Sequence, residues 1–282
     1  MGSTRPHRAR RAALARLATL PAALLGSRAA AQAEKTLAMG LIPYLSTRAL
    51  ISVFDPLRAH LQRTLGLRVV TYTAVSHPAF AQALRDGTYD FAFMPAHTMR
   101  LAAQDWGYAP LVRSRAATRI VLVTRSESTL REVEELRGGQ VVLLDRLAIT
   151  SMATVDWLVQ HGLQPGRDID VEYLVNISSV LLTLERPEVD AVAVIESTLR
   201  DFPPQERAKV RVFAEVLTVP SPGFAARPQL APQQREALRA GLLSFGGTSD
   251  GAGSFSRSPF EAITMRDLDP VEPYAQRLRR EL

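Results

Sequence analysis

Cysteine is missing from all 282 positions, which excludes disulfides, thiolate metal sites and a lipid-modified N-terminal cysteine. The five histidines (His7, His60, His77, His97 and His161) are scattered without H-x-x-x-H or H-E-x-x-H spacing, so no metal centre is expected. Neither a P-loop nor the glycine fingerprint of dinucleotide-binding folds follows any apolar run. No repeat of solenoid period and no low-complexity tract is present. One formal enzyme motif remains, Gly247-Thr248-Ser249-Asp250-Gly251, of the form G-x-S-x-G. A nucleophile elbow needs a strand before it, a helix after it and a histidine further along the chain. This one follows a helical segment, and no histidine comes after His161. It reads as a glycine-rich loop, and neither hydrolase activity nor a cofactor is expected.

Acidic residues are missing from the first 33 positions, which carry Arg5, Arg8, Arg10, Arg11, Arg16 and Arg28, an apolar run from Leu17 to Leu25, then Ala31-Gln32-Ala33. A basic start, a short apolar run and an A-x-A site read as an export signal cut after Ala33. The run is too short to remain as a membrane anchor. Arg10-Arg11 hints at twin-arginine export, with the general route as the alternative. Without this segment the 34 basic residues fall to 28, matching 28 acidic ones. A near-neutral chain implies neither nucleic acid nor an anionic membrane surface as partner. A freely diffusing periplasmic protein, monomeric, fits these features.

What the chain does contain is alternation. Thr36 to Ile42 reads as a buried strand, and Thr47 to Leu65 as a helix with Leu50, Phe54, Leu57, Leu61 and Leu65 on one stripe. Arg68 to Val75, a short helix capped by Ser76, Phe91 to Met94, a helix from Pro95 and Ala109 to Arg113 continue the pattern. Three strand-helix units predict a doubly wound α/β lobe, residues 34–114. A second lobe, 115–216, starts with a strand at Arg119 to Thr124 and a helix at Thr129 to Leu136. It goes on through Gln140 to Leu144, a helix from Thr150 to His161, Asp168 to Leu174, Ser178 to Leu184, Asp190 to Val194 and Glu196 to Phe202. The proline-rich stretch after residue 216 and the helices beyond it read as a return to the first lobe, 217–282.

The candidate site starts at Met39 to Arg48, where a strand ends and a helix begins. Parallel α/β sheets bind ligands beyond the carboxyl ends of their strands, so Tyr44, Ser46 and Thr47 are candidate contacts. Hydroxyls recur at other helix starts: Ser76, Thr98, Thr150 and Ser151, Ser178 and Ser179, Ser197 and Thr198. Each alone reads as a helix cap. If two lobes face each other, these helix starts converge, and their N–H groups and hydroxyls can hold a small anion without a buried lysine or arginine.

Several short motifs occur in an order that resembles one family. They are Gly40-Leu41-Ile42-Pro43, Asp55-Pro56-Leu57, Leu65-Gly66-Leu67-Arg68-Val69, Gly87-Thr88-Tyr89-Asp90 through Met94-Pro95, Leu130 to Gly139, Asp145 onward, and Val189-Asp190-Ala191. Together they are similar to the phosphate/phosphite/phosphonate-type periplasmic binding proteins of ABC importers. The resemblance implies the type II periplasmic binding protein fold: two doubly wound α/β lobes with an interdomain cleft, joined by two crossings. It also implies a small anionic ligand, closure upon it and a membrane permease as partner. The hydroxyl run that the family places after its strand-ending Asp stands here as Arg146 to Met152, keeping Thr150 and Ser151. The family's Gly-Pro-x-x-Tyr stands as Met94-Pro95-Ala96-His97-Thr98, which nominates His97 and Thr98. Asp190 matches a position that can face a ligand ammonium, and Glu196 is a further candidate for cationic parts of a ligand. A sensor protein that signals to a receptor kinase is the alternative, because it would use the same cleft.

Overall fold

The structure, a computed structural model, describes residues 36–115, 117–246 and 260–282. The export segment and the Gly247 to Gly251 motif lie outside the described residues.

The chain opens with β1 (Thr36–Leu41), α1 (Thr47–Leu65), β2 (Arg68–Thr73), α2 (His77–Arg85), β3 (Phe91–Met94), α3 (Ala96–Asp105) and β4 (Ala109–Ser114). The apolar stripe of α1 buries Leu50, Phe54, Leu57 and Leu61, and the helix ends at Gly66, whose φ of 63° is the left-handed conformation glycine adopts without penalty. The next stretch supplies β5 (Thr118–Arg125), β6 (Gln140–Leu144), α4 (Ile149–Gln160), β7 (Asp170–Leu174), α5 (Ile177–Leu182), β8 (Val189–Ile195), α6 (Glu196–Asp201), α7 (Pro204–Ala208) and β9 (Val210–Val219). The chain finishes with β10 (Gly223–Ala226), α8 (Pro232–Leu243), β11 (Phe260–Ala262) and α9 (Glu272–Glu281).

These strands form two mixed sheets, in the orders β11-β4-β10-β3-β1-β2 and β7-β6-β8-β5-β9. In the first, β1 runs parallel to β2 and β3, while β10 lies antiparallel between β3 and β4. In the second, β6 runs parallel to β7 and β8, and β5 is antiparallel to β8 and β9. Two crossings, at 114–118 and 219–223, connect the sheets. They are tied together by Ser114 N donating to Pro222 O at 2.9 Å and by a 3.4 Å hydroxyl contact between Thr118 and Ser221.

An aromatic nest fills the first core: Phe54 and Phe93 have ring centroids 5.0 Å apart, and Phe224 lies 5.2 Å from Phe93 and 5.6 Å from Phe260. Phe224 comes from β10, inside the proline-rich stretch that reads as irregular in sequence. Its four residues are all buried, and its strand character comes from the neighbours on both sides. Gly223 is required there, since a Cβ would collide with the Val112 carbonyl oxygen of β4.

The helix expected over Thr129 to Leu136 is reduced to a 3₁₀ turn at Val133–Leu136. Arg211 captures the carbonyls of Ser128 and Leu130, at 3.1 and 2.6 Å. The Glu135 carboxylate turns back onto Arg131 N at 2.7 Å. The backbone groups that would propagate a helix are therefore already used.

Candidate functional site

In both sheets the parallel strands end where a helix begins, and the two carboxyl edges meet. Tyr44 O, in the loop between β1 and α1, accepts from Ile177 N at the start of α5, at 3.1 Å. Tyr44 and Leu45 pack against the cores of both sheets. Ile149 and Ala153 of α4 belong to the core of the first sheet. Arg277 of α9 pairs with Asp156 of α4 at 2.6 Å.

At the centre of this junction sits a buried polar cluster. From the first sheet come His77, first residue of α2, and His97 and Thr98 in the first turn of α3; they are 5%, 1% and 4% exposed. From the second come Asp145, just beyond β6, and, three residues after Leu147, the buried Thr150 in the first turn of α4. Asp145 Oδ2 lies 3.6 Å from His77 Nδ1, an ion-pair separation longer than a hydrogen bond, while Oδ1 accepts from Leu147 N at 2.9 Å. Burial would raise the Asp145 carboxyl, but His77 and the Leu147 N–H together hold it below the ordinary carboxylate range.

His97 Nε2 donates to the Leu147 carbonyl oxygen at 3.1 Å, and the Thr98 hydroxyl stands 3.5 Å from the same nitrogen. Desolvation drives the His97 pKa down to about 4 against the support of that carbonyl, and the nearby His77 charge adds to the fall. His97 is thus neutral at neutral pH. Three side-chain atoms in the cluster are buried without a hydrogen-bond partner among the described residues: His77 Nδ1, His97 Nδ1 and Thr150 Oγ1. Such atoms each cost on the order of 1–3 kcal/mol.

The other nominated residues fall in different places. Ser46 accepts from Ala49 N at 3.3 Å as the N-cap of α1, and both it and Thr47 are exposed to solvent. Ser46→Ala is expected to cost about 1 kcal/mol of stability and leave ligand binding alone, checked by urea melts and calorimetry. Ser151 is buried, but its hydroxyl is committed to the Leu144 carbonyl at 2.6 Å. Glu196 begins α6 beside the crossings and pairs with Arg119 at 3.1 Å, so its charge is already matched.

Asp190 requires a correction. It lies at the amino end of β8, the opposite edge of the sheet from Thr150, and its Oδ2 accepts from Gln140 N at 2.9 Å. Gly139 is glycine because a Cβ would strike that carboxylate. Asp90 is its counterpart at the amino end of β3, accepting from Ala38 N at 2.6 Å. Each aspartate anchors the neighbouring parallel strand, and neither faces the junction.

Sequence reasoning overlooked His77, because Ser76 before it accounted for the helix start as an ordinary cap, and Ser76 does accept from Ala79 N at 3.2 Å. A second imidazole at the opening of a helix, as at His97, was the available signal. Two cavities are lined by other residues, the second reaching Leu147 and Ser151 beside the cluster. One, of about 400 Å³, sits at the far end of the second sheet over Leu181, Leu184 and Phe202. The other, of about 250 Å³, borders α4 and α9 with Arg146, Tyr173, Arg277 and Arg280 on its walls. Neither coincides with the histidines, so cavity size is a poor guide to the chemistry here. Among the described residues no group of three or more His, Asp or Glu could hold a metal ion, and no helix is long and apolar enough to cross a membrane.

Comparison with known proteins agrees with this architecture. The family described as "ABC transporter, phosphonate, periplasmic substrate-binding protein" matches residues 39–270. The chain belongs to that family. A binding protein component of an ABC phosphonate transporter from Pseudomonas aeruginosa shares the fold with a TM-score of 0.75 at 15% identity, over 87% of this chain and 88% of that one. PhnD1 from Prochlorococcus marinus, solved with methylphosphonate, gives 0.76 at 13% identity over 88% and 99%. The alkanesulfonate-binding protein SsuA from Xanthomonas axonopodis pv. citri, bound to MOPS, gives 0.58 at 16% over 87% and 93%. No curated protein matches the sequence. The fold is thus the type II periplasmic binding protein fold, and the family is one of transport proteins that work in the periplasm with an ABC permease.

Proposed function

We propose that this binding protein captures a small phosphonate-like oxyanion at the His77, His97, Thr98 and Thr150 cluster and delivers it to its permease, with no catalysis of its own. The observation that carries the reading is a set of buried polar atoms at helix starts from both sheets: His97 Nδ1 and Thr150 Oγ1 have no hydrogen-bond partner among the described residues, and His77 Nδ1 has only its 3.6 Å ion-pair contact with Asp145. A ligand that satisfies them removes a penalty that exists only while the two sheets are together, so its binding energy favours closure. Helix N-termini add favourable electrostatics for an anion. Arg146 and Arg280, on the wall of the smaller cavity, carry no ion pair among the described residues and can draw anions toward the junction. Tyr44 completes the site as the residue that touches both cores.

The lobes on this reading are 34–114 with 217–282, and 115–216, swinging about the paired crossings, with the protein working as a monomer. Export follows the signal cut after Ala33, by the twin-arginine or the general route. The family match does not favour the receptor-signalling alternative. A thermal-shift screen of phosphate, phosphite, phosphonates, sulfonates and carboxylates tests the proposal, and the absence of a rise with any of them removes it.

Thr150→Val probes the same cluster. It removes an unpaired hydroxyl at nearly constant shape, so stability should hold or improve. Ligand affinity should fall by on the order of 1–3 kcal/mol. Unchanged affinity with an intact fold would return Thr150 to a purely structural role.

A further inference from the structure

We propose that His97 Nδ1 reads a hydrogen on the ligand, so that the cleft takes protonated phosphorus oxyacids and rejects sulfonates and other oxyanions with no hydrogen to give. This rests on the oxyanion reading above and names the feature that selects among oxyanions, which the fold does not do, since phosphonate and sulfonate binders share it.

The geometry of one imidazole sets the rule. His97 Nε2 faces the Leu147 carbonyl at 3.1 Å, and a carbonyl oxygen can only accept, so Nε2 carries the hydrogen. In the neutral ring Nδ1 is then a bare lone pair. It is buried and has no partner among the described residues. An anionic oxygen placed against it would set lone pair against lone pair where no water can intervene, while a ligand O–H would complete the hydrogen bond. His77, from α2, is the titratable side chain whose charge acts on His97, and Asp145, from the end of β6, reaches the pair through His77. Asp145 is an acceptor too, which adds to the demand for a donor on the ligand.

Phosphorus oxyacids meet this demand because their second ionisation lies close to neutral pH, about 6 for a phosphate monoester. Sulfonates ionise once, in strong acid, and arrive without a hydrogen. When a phosphonate dianion enters, one proton from solvent accompanies it and is held between the ligand oxygen and Nδ1. The complex therefore contains one proton more than the separate dianion and neutral protein.

Titration calorimetry of the protein with methylphosphonate and its near-isostere methanesulfonate decides the matter. Methylphosphonate should bind at least ~100-fold tighter, because a site built around a ligand O–H penalises the analogue lacking it heavily. Repeating the titration at about pH 9, where free methylphosphonate is essentially all dianion, in two buffers of different ionisation enthalpy should show uptake of close to one proton per methylphosphonate bound. His97→Asn places an amide N–H₂ near the Nδ1 position and should admit the sulfonate, shrinking the preference below about tenfold. Methanesulfonate binding within tenfold of methylphosphonate in the unaltered protein would overturn the inference and leave the oxyanion reading standing. So would zero proton uptake, or a preference that survives in a folded His97→Asn variant. If His97→Asn does not fold, the ligand comparison and the proton count on the unaltered protein decide. If no oxyanion binds at all, the oxyanion reading fails and this inference fails with it.

Discussion

Asp90→Ala is expected to destabilise the protein by about 3 kcal/mol, against about 1 kcal/mol for Asp190→Ala, with ligand affinity unchanged in both. The two aspartates hold equivalent places, each at the amino end of a strand and each accepting a backbone N–H of its parallel neighbour, Ala38 in one sheet and Gln140 in the other. Asp90 has a second partner: Oδ1 meets Arg227 at 2.6 Å with the carboxylate side chain 11% exposed. Removing it leaves a backbone N–H unmatched and takes the carboxylate from a guanidinium that keeps only the Gly87 carbonyl, at 3.0 Å. Arg227 is a third exposed, so water recovers part of the loss, which places the cost at the lower end of the range for breaking a buried pair. Asp190 releases one N–H. Denaturant melts measure the two costs, and calorimetry with an oxyanion measures the affinity. An Asp190→Ala variant that melts normally but no longer binds would put Asp190 back in the ligand site.

That pair also marks where sequence reasoning reaches its limit. Val189-Asp190-Ala191 and Tyr89-Asp90-Phe91 are both an apolar run broken by one acid. Such a pattern says that the acid has a partner and not which end of the strand it occupies. The long elements were legible because burial imposes a period: α1 begins and ends at the residues its stripe predicts, and β3 and β6 fall where their apolar runs lie. β10 was not legible, because four residues between prolines have no room to show a period, and only the flanking strands make them a strand. Of the buried cluster proposed as the site, part was legible. Hydroxyls and an imidazole at helix starts pointed to Thr98, Thr150 and His97, but whether a hydroxyl is spent locally, as in Ser151, or left unpaired, as in Thr150, depends on a carbonyl several residues away.

The second large effect concerns acid. His97 has a folded-state pKa of about 4 against an ordinary value of 6.5, because burial disfavours the imidazolium. The unfolded chain therefore binds a proton at a pH where the folded chain refuses it. The stability tied to a neutral His97 is fully present above pH 6.5, declines as pH falls from there, and is gone below about pH 4. The size of the loss is about 3 kcal/mol. Asp145, held below its usual range by His77 and the Leu147 N–H, gives up its contribution only in more acid solution, so the two windows separate. Melting experiments from neutral pH down to about pH 4 should show a steady fall, and His97→Gln, which cannot titrate, should flatten it over that interval. A His97→Gln profile that falls as steeply as the parent would assign the acid sensitivity to other groups. Protonation places a hydrogen on Nδ1 while Nε2 keeps its bond to Leu147, so the nitrogen proposed to accept from the ligand is lost, and ligand release should follow the same curve.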